Sequence, residues 1–122
     1  MPQVNVVLFR DEDGTVPLLD WLDGLERKVQ VKCWLRIKRL QALGYELRRA
    51  EADYLRDGVY ELRASLGGIH YRMLYFFHRR TTTVVCHGLI KQKAVPPNEI
   101  ETAILRKRKF EKCPPKHTHL ET

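Results

Sequence analysis

Apolar and polar residues alternate along this chain in two rhythms. "VNVVLF" near the start is a short run rich in β-branched residues, closed by the turn-forming "DEDG", and predicts a first strand. From Pro17 the apolar positions Leu18, Trp21, Leu22 and Leu25 recur at helical spacing. Proline suits a first helical turn because its missing N–H would be unpaired there anyway. A second helix follows, with Val31, Trp34, Leu35 and Leu40 assigned to one face, Lys32, Arg36 and Arg39 elsewhere, and Gly44 placed to end it. The two predict a helical hairpin. Residues 45–57, "YELRRAEADYLRD", fit neither period and read as a connecting segment.

After Gly58 the period drops to two. "VYELRASL" and "IHYRMLYFFH" flank Gly67-Gly68, a two-residue loop that closes a tight hairpin because glycine accepts positive φ without steric cost. "TTVVCHGLIK" adds a third run, giving a three-stranded meander. Pro96-Pro97 then opens a last helix, with Ile100, Ala103, Ile104 and Phe110 apolar and "RKRK" at 106–109 exposed. The expected fold class is α+β: an antiparallel sheet of the N-terminal strand plus the meander, an N-terminal helical hairpin and a C-terminal helix. A single domain over residues 1–112 and a flexible tail over 113–122 complete the expectation.

Side chains alternate across a strand, so parity sorts the meander into two faces. Tyr60, Leu62, Ala64 and Leu66 oppose Glu61, Arg63 and Ser65; Tyr71, Met73, Tyr75 and Phe77 oppose His70, Arg72, Leu74, Phe76 and His78. In the third run Val84, Cys86, Gly88 and Ile90 oppose Val85, His87, Leu89 and Lys91, with Lys93 in phase if the strand extends. Arg63, Arg72, His87, Lys91 and Lys93 thereby gather on one side of the sheet. One such arginine is ordinarily solvated, or paired across strands, here with Glu61. Two arginines, two lysines and a histidine converging make a face that attracts phosphate.

Composition sharpens this picture. At 122 residues the chain has room for one core. Its net charge of +7 favours a polyanionic partner such as nucleic acid. The basic excess lies late: residues 1–30 hold three Lys or Arg against six Asp or Glu, and residues 91–112 hold seven against three. No apolar run approaches a bilayer span and the start lacks a signal-peptide pattern, so a cytoplasmic protein without a membrane partner is expected. Cys33, Cys86 and Cys113 are an odd number without a CxxC spacing, which points to neither disulfides nor a zinc site. The sheet face offers one histidine and one carboxylate, Glu61, among several cations, so no metal is expected there.

The "ELR" at 61–63, the "YR" and aromatic strand at 71–77, and the "HG" at 87–88 followed by lysines and Pro-x-x-x-Ile resemble the RelE/ParE superfamily of toxins from bacterial toxin–antitoxin pairs. The likeness covers roughly residues 4–110 and is greatest to the HigB-like, often phage-derived group. It implies a metal-independent, cofactor-free mRNA endonuclease that acts on ribosome-bound message and is held inactive by a cognate antitoxin protein. Carried over residue by residue, Arg63 and Arg72 would grip the scissile phosphate. Lys91 and Lys93 would hold RNA and handle protons, with His87 the other candidate acid or base. Gln92 separates the two lysines where the group commonly has them adjacent, so which one is functional stays open. Arg106, Lys107, Arg108 and Lys109 form a solvated helix face with a secondary role on the RNA backbone. The superfamily also contains ParE-like gyrase poisons that cleave no RNA, and a basic module that only binds RNA or protein is a third reading.

Overall fold

The computed structural model describes residues 4–91 and 93–121. Nine strands and α-helices follow one another among the described residues: β1 (Asn5–Phe9), α1 (Pro17–Asp23), α2 (Arg27–Leu43), β2 (Ala52–Arg56), β3 (Val59–Leu66), β4 (Ile69–His78), β5 (Thr82–Lys91), α3 (Pro97–Lys112) and β6 (Thr118–His119). The strands make one six-stranded sheet in the order β2-β3-β4-β5-β1-β6. Every neighbouring pair is antiparallel except β1 and β5. This is the α+β, RelE-like arrangement that the sequence predicts, enlarged by a strand at each edge.

The helical hairpin is held at its corner by Gln30, whose amide donates to the carbonyls of Leu22 and Leu25 at 2.8 and 3.1 Å and satisfies acceptors that the end of α1 leaves open. Gly44 ends α2 at φ 53. The core face of α2 differs from the one expected. Val29, Cys33, Ile37 and Leu40 are buried, whereas Val31 and Leu35 are 47% and 57% exposed. Two stripes on this helix satisfy helical spacing, and the winning one includes Cys33, a small apolar residue in its own right.

Both faces of the sheet are covered. On one, α1 and α2 pack over Leu62, Ala64, Tyr71, Met73, Tyr75 and Val85. On the other, α3 lays Ala103, Ile104 and Phe110 over Val59, Leu74, Phe76, Val84 and Cys86. The second layer corrects the parity assigned to β5. Leu74 lies opposite His87 and Tyr75 opposite Val85, so Cys86 is the extra residue of a β-bulge. Val84 and Cys86 therefore share the α3 face with His87, Leu89 and Lys91. Gly88 remains on the α1 side, where a Cβ would stand 2.1 Å from the Trp21 ring, so only glycine admits that close approach.

Residues 45–57 contain β2 rather than a plain connection. Asp57 and Gly58 both have positive φ, 52 and 82, and close a second tight hairpin against β3. The last ten residues, expected as a flexible tail, instead carry a 3-10 turn over Pro114–His117 and pair Thr118 with Phe9 and His119 with Leu8. His117 is buried, stacked on Phe9 at 5.2 Å and bonded through Nδ1 to the Arg10 carbonyl at 2.7 Å. No helix among the described residues is long and apolar enough to cross a membrane.

Two buried hydroxyls, those of Tyr75 and Thr83, lack a hydrogen-bond partner among the described residues. Tyr75→Phe keeps the ring and removes its unpaired group, so it should raise stability by about 1 kcal/mol. A lower thermal midpoint in the variant would show that the Tyr75 hydroxyl is satisfied in solution.

Candidate active site

The site is built on three cross-strand rows that face α3. Arg63 lies directly opposite Arg72, which lies opposite Leu89. One row away, Asp53 meets Glu61, Glu61 meets Leu74, and Leu74 meets His87. On the other side Ser65, His70 and Lys91 align. Three adjacent strands thus bring the "ELR", "YR" and "HG" segments together, and β2 adds Asp53.

Two like charges directly opposite would repel, and Glu61 resolves the conflict. Its Oε2 accepts from Arg63 Nε at 3.1 Å and Nη2 at 2.8 Å, while its Oε1 accepts from Arg72 Nε at 3.1 Å. Arg72 Nη1 also donates to the Tyr71 carbonyl at 3.0 Å. The side chains of Glu61 and Arg72 are only 4% and 7% exposed, and Arg63 is 25% exposed. Burial pulls the Arg72 guanidinium below its usual value, opposed by Glu61. It stays charged nonetheless, because arginine does not deprotonate in proteins. Arg63 reaches Asp53 as well, at 3.4 Å, and Asp53 holds Arg49 at 3.2 Å. The face is therefore less cationic than parity alone implies, since each arginine already has a carboxylate. Arg63 Nη1 and Arg72 Nη2 have no hydrogen-bond partner among the described residues.

His87 is engaged at both ring nitrogens. Arg106 on α3 donates to Nδ1 at 2.8 Å, and Nε2 lies 3.1 Å from Glu99 Oε1. Arginine can only donate, so Nδ1 is unprotonated and Nε2 carries the hydrogen. The Glu99 contact is thus a hydrogen bond from a neutral ring, not an ion pair. Burial, reinforced by Arg106, pushes the imidazole down to about 4. In this arrangement the ring fastens α3 to β5 and has no free nitrogen for proton transfer.

That burial has a pH signature. Between about 4 and 6.5 the unfolded chain protonates this histidine while the folded one does not, so unfolding takes up a proton and stability rises with pH. The contribution is complete above pH 6.5 and declines as pH falls towards 4. By about pH 4 the loss reaches on the order of 3 kcal/mol. Urea unfolding at pH 7 and pH 4.5 should show a larger drop for the wild type than for His87→Gln. Equal drops would mean that His87 is accessible and titrates normally.

The other predicted residues are placed as follows. Lys91 is half-buried at the end of β5, Lys93 is exposed just beyond it, and Gln92 lies outside the described residues. Neither lysine has an ion-pair partner among the described residues. From strand spacing and rise, the Cα atoms of Arg63 and Lys91 are roughly 12 Å apart on the same face, a span that two long side chains reaching toward each other can bridge.

The "RKRK" run divides its labour. Arg106 turns inward on His87, its guanidinium carbon 5.7 Å from the Phe9 ring centroid. Lys107 pairs with Glu111 at 3.2 Å, and Lys109 with Glu12 at 2.9 Å and Asp11 at 3.5 Å. Arg108 alone of the four is exposed. Among the described residues no three His, Cys, Asp or Glu side chains converge as a metal-ligand set.

Sequence reasoning named Glu61 only as a pairing partner and missed Glu99 altogether. The signal for Glu61 was present in its i, i+2 spacing from Arg63, which puts both on one strand face. Nothing local to Glu99 or Arg106 announces a histidine on a strand before them.

No curated protein matches the chain. A family model described as phage-derived protein Gp49-like matches residues 20–108. The match runs from α1 into α3 and takes in Arg63, Arg72, His87, Lys91 and Lys93 together with Glu61. With well over half its length inside that match, the chain belongs to the family of Gp49-like phage-derived proteins.

Proposed function

We propose that the chain is the toxin of a toxin–antitoxin pair of the RelE/ParE superfamily, HigB-like, and cleaves mRNA, most effectively on the ribosome. The observation that supports this reading is the buried carboxylate of Glu61 gripping two guanidiniums on neighbouring strands, with Lys91 on the same face. The partly exposed Arg63 contacts the scissile phosphate through its free Nη1, in the planar geometry that suits arginine to phosphate. Arg72 lies directly opposite it on the neighbouring strand and adds positive potential from a poorly solvated position.

In the reaction the ribose 2′-OH attacks the adjacent phosphorus, its proton passes to a base, and the departing 5′-oxygen takes a proton. Lys91 or Lys93 serves these transfers. His87 is set aside because both its nitrogens are occupied. The products are a 2′,3′-cyclic phosphate and a 5′-hydroxyl. A cognate antitoxin would silence the activity by covering this face or by blocking ribosome entry.

The test is expression in growing cells followed by end-mapping of message. Cyclic phosphate ends at fixed positions, absent with Arg63→Ala, are expected. DNA breaks with intact message would transfer the chain to the gyrase-poison branch. Lys91→Arg and Lys93→Arg then separate charge from proton transfer, since arginine keeps the charge but does not release a proton. Full cleavage with both substitutions present would remove both lysines from the proton-transfer role.

A further inference from the structure

At the end of the sheet away from the Gly67-Gly68 turn, on the α2 side, lies an aromatic strip that the cleavage site does not use. Tyr45 stacks on Phe77 at 3.8 Å between centroids, Phe77 meets Tyr60 edge-on at 5.2 Å, and Tyr60 meets Tyr54 edge-on at 5.0 Å. The inner rings rest on the core, Tyr60 lying 5.3 Å above the buried Tyr75. Its two ends face solvent, with Tyr45 39% and Tyr54 52% exposed. Both end rings are tied in place by their hydroxyls: Tyr45 donates to the Arg79 carbonyl at 2.8 Å, and Tyr54 accepts from the Gly58 N–H at 3.0 Å.

Cations border the strip. Arg79 and Arg80 are exposed in the turn after β4, and Arg48 is exposed beside Tyr45 with its guanidinium bonded to the Leu47 carbonyl at 3.0 Å. None of the three has a carboxylate partner among the described residues. The neighbouring acids are fewer: Glu46 is exposed in the same segment, and Asp57 is engaged by Arg56.

We propose that this strip is a second contact surface for single-stranded RNA, in which bases stack on Tyr45 and Tyr54 while Arg79 and Arg80 meet the backbone. Fixed, half-exposed rings flanked by unpaired arginines are what sequence-tolerant single-strand binding requires, because every base has a π-face and every linkage a charge. A protein partner would use the rings too, but three uncompensated arginines favour a polyanion. The path to the cleavage site passes over the β2 edge, where Asp53 holds both Arg49 and Arg63. Tyr60 is three residues from Arg63 on the same strand, about 10 Å along it. The strip would hold the message on one side of the cut. The inference rests on the RNA-cleavage reading for the identity of its ligand.

The experiment uses the full chain and a fluorescent 12-nucleotide 2′-O-methyl oligoribonucleotide, which cannot undergo 2′-OH attack, as strand and as duplex. Wild type should bind the strand more tightly than the duplex, since stacking needs unpaired bases. Tyr45→Leu and Tyr54→Leu should each weaken strand binding about tenfold, and Tyr54→Phe, which keeps the ring, should not. Arg79→Ala with Arg80→Ala should reduce the salt slope of log K by about 1.4, or 0.7 for each contact. Thermal midpoints check folding, and Tyr54, on an exposed edge strand, keeps the test open if Tyr45→Leu is unstable.

Wild-type binding with both leucine variants within twofold of it would overturn the strip and leave the cleavage reading standing. No binding of RNA by the wild type would overturn both. Unchanged RNA affinity with lost neutralisation by the antitoxin would assign the strip to protein recognition instead.

Discussion

Glu61→Ala is expected to destabilise the protein by about 3–5 kcal/mol, the range typical of removing one partner from a buried charge pair. The carboxylate stands between two arginines that lie directly opposite each other on β3 and β4. Without it, Arg72 keeps only the Tyr71 carbonyl among its described partners, in a position that is 6% exposed, and faces the like charge of Arg63. A domain of this size has a total stability of about 5–15 kcal/mol, so the change removes a large part of it. Urea unfolding should show a lower midpoint with an unchanged slope. Glu61→Gln, which keeps an acceptor oxygen but loses the charge, should fall between. The decisive comparison is Glu61→Leu combined with Arg72→Met: with no buried charge left unpaired, it should be more stable than Glu61→Ala alone. If the double variant is the less stable of the two, the buried pair is not what makes Glu61 costly to lose.

The same triad shows what the sequence could and could not reveal. Alternation on β3 and β4 correctly put Glu61, Arg63 and Arg72 on one face, because side-chain period is a local property of a strand. What lies above that face is not local. The apolar pair Leu74 and Phe76 in the same phase was the available hint that part of it is covered, and α3 covers it. The bulge at Cys86 could not be read from period, since an extra residue shows itself only against the partner strand. Asp57-Gly58 is the reverse case: Asp-Gly is a strong hairpin signal and implies a strand on each side, yet the five residues "ADYLR" of β2 do not alternate, because a bulge between Tyr54 and Arg56 sets Tyr54 and Leu55 side by side. β6 is only two residues long and is defined wholly by pairing with β1 across the length of the chain. The arginines were legible as candidates, while their neutralisation by Glu61 and Asp53, and the locking of His87 by Glu99 and Arg106, needed the tertiary structure.

Arg63→Ala should lower RNA cleavage by on the order of 100-fold or more, the usual consequence of removing one preorganised donor from a developing charge. It is a cleaner probe than Arg72→Ala. Arg63 is 25% exposed, and its loss leaves Glu61 with Arg72 and Asp53 with Arg49, so each carboxylate keeps a cation. Arg72→Ala would strip a buried carboxylate of its deeper partner, and a loss of activity there would mix misfolding with chemistry. Arg63→Lys supplies the missing control: it keeps the positive charge but replaces the planar fork by a point charge, and should recover part of the rate without restoring it. Initial rates on a defined single-stranded RNA, read at saturating protein, with thermal midpoints for all three proteins, test this directly. On the proposed contact between Arg63 and the phosphate at which charge develops, the rate at saturation should fall more than affinity does. An alanine variant that folds normally and cleaves at the wild-type rate would mean that the phosphate is held elsewhere on the molecule, and the site centred on Glu61 would then be a structural ion cluster.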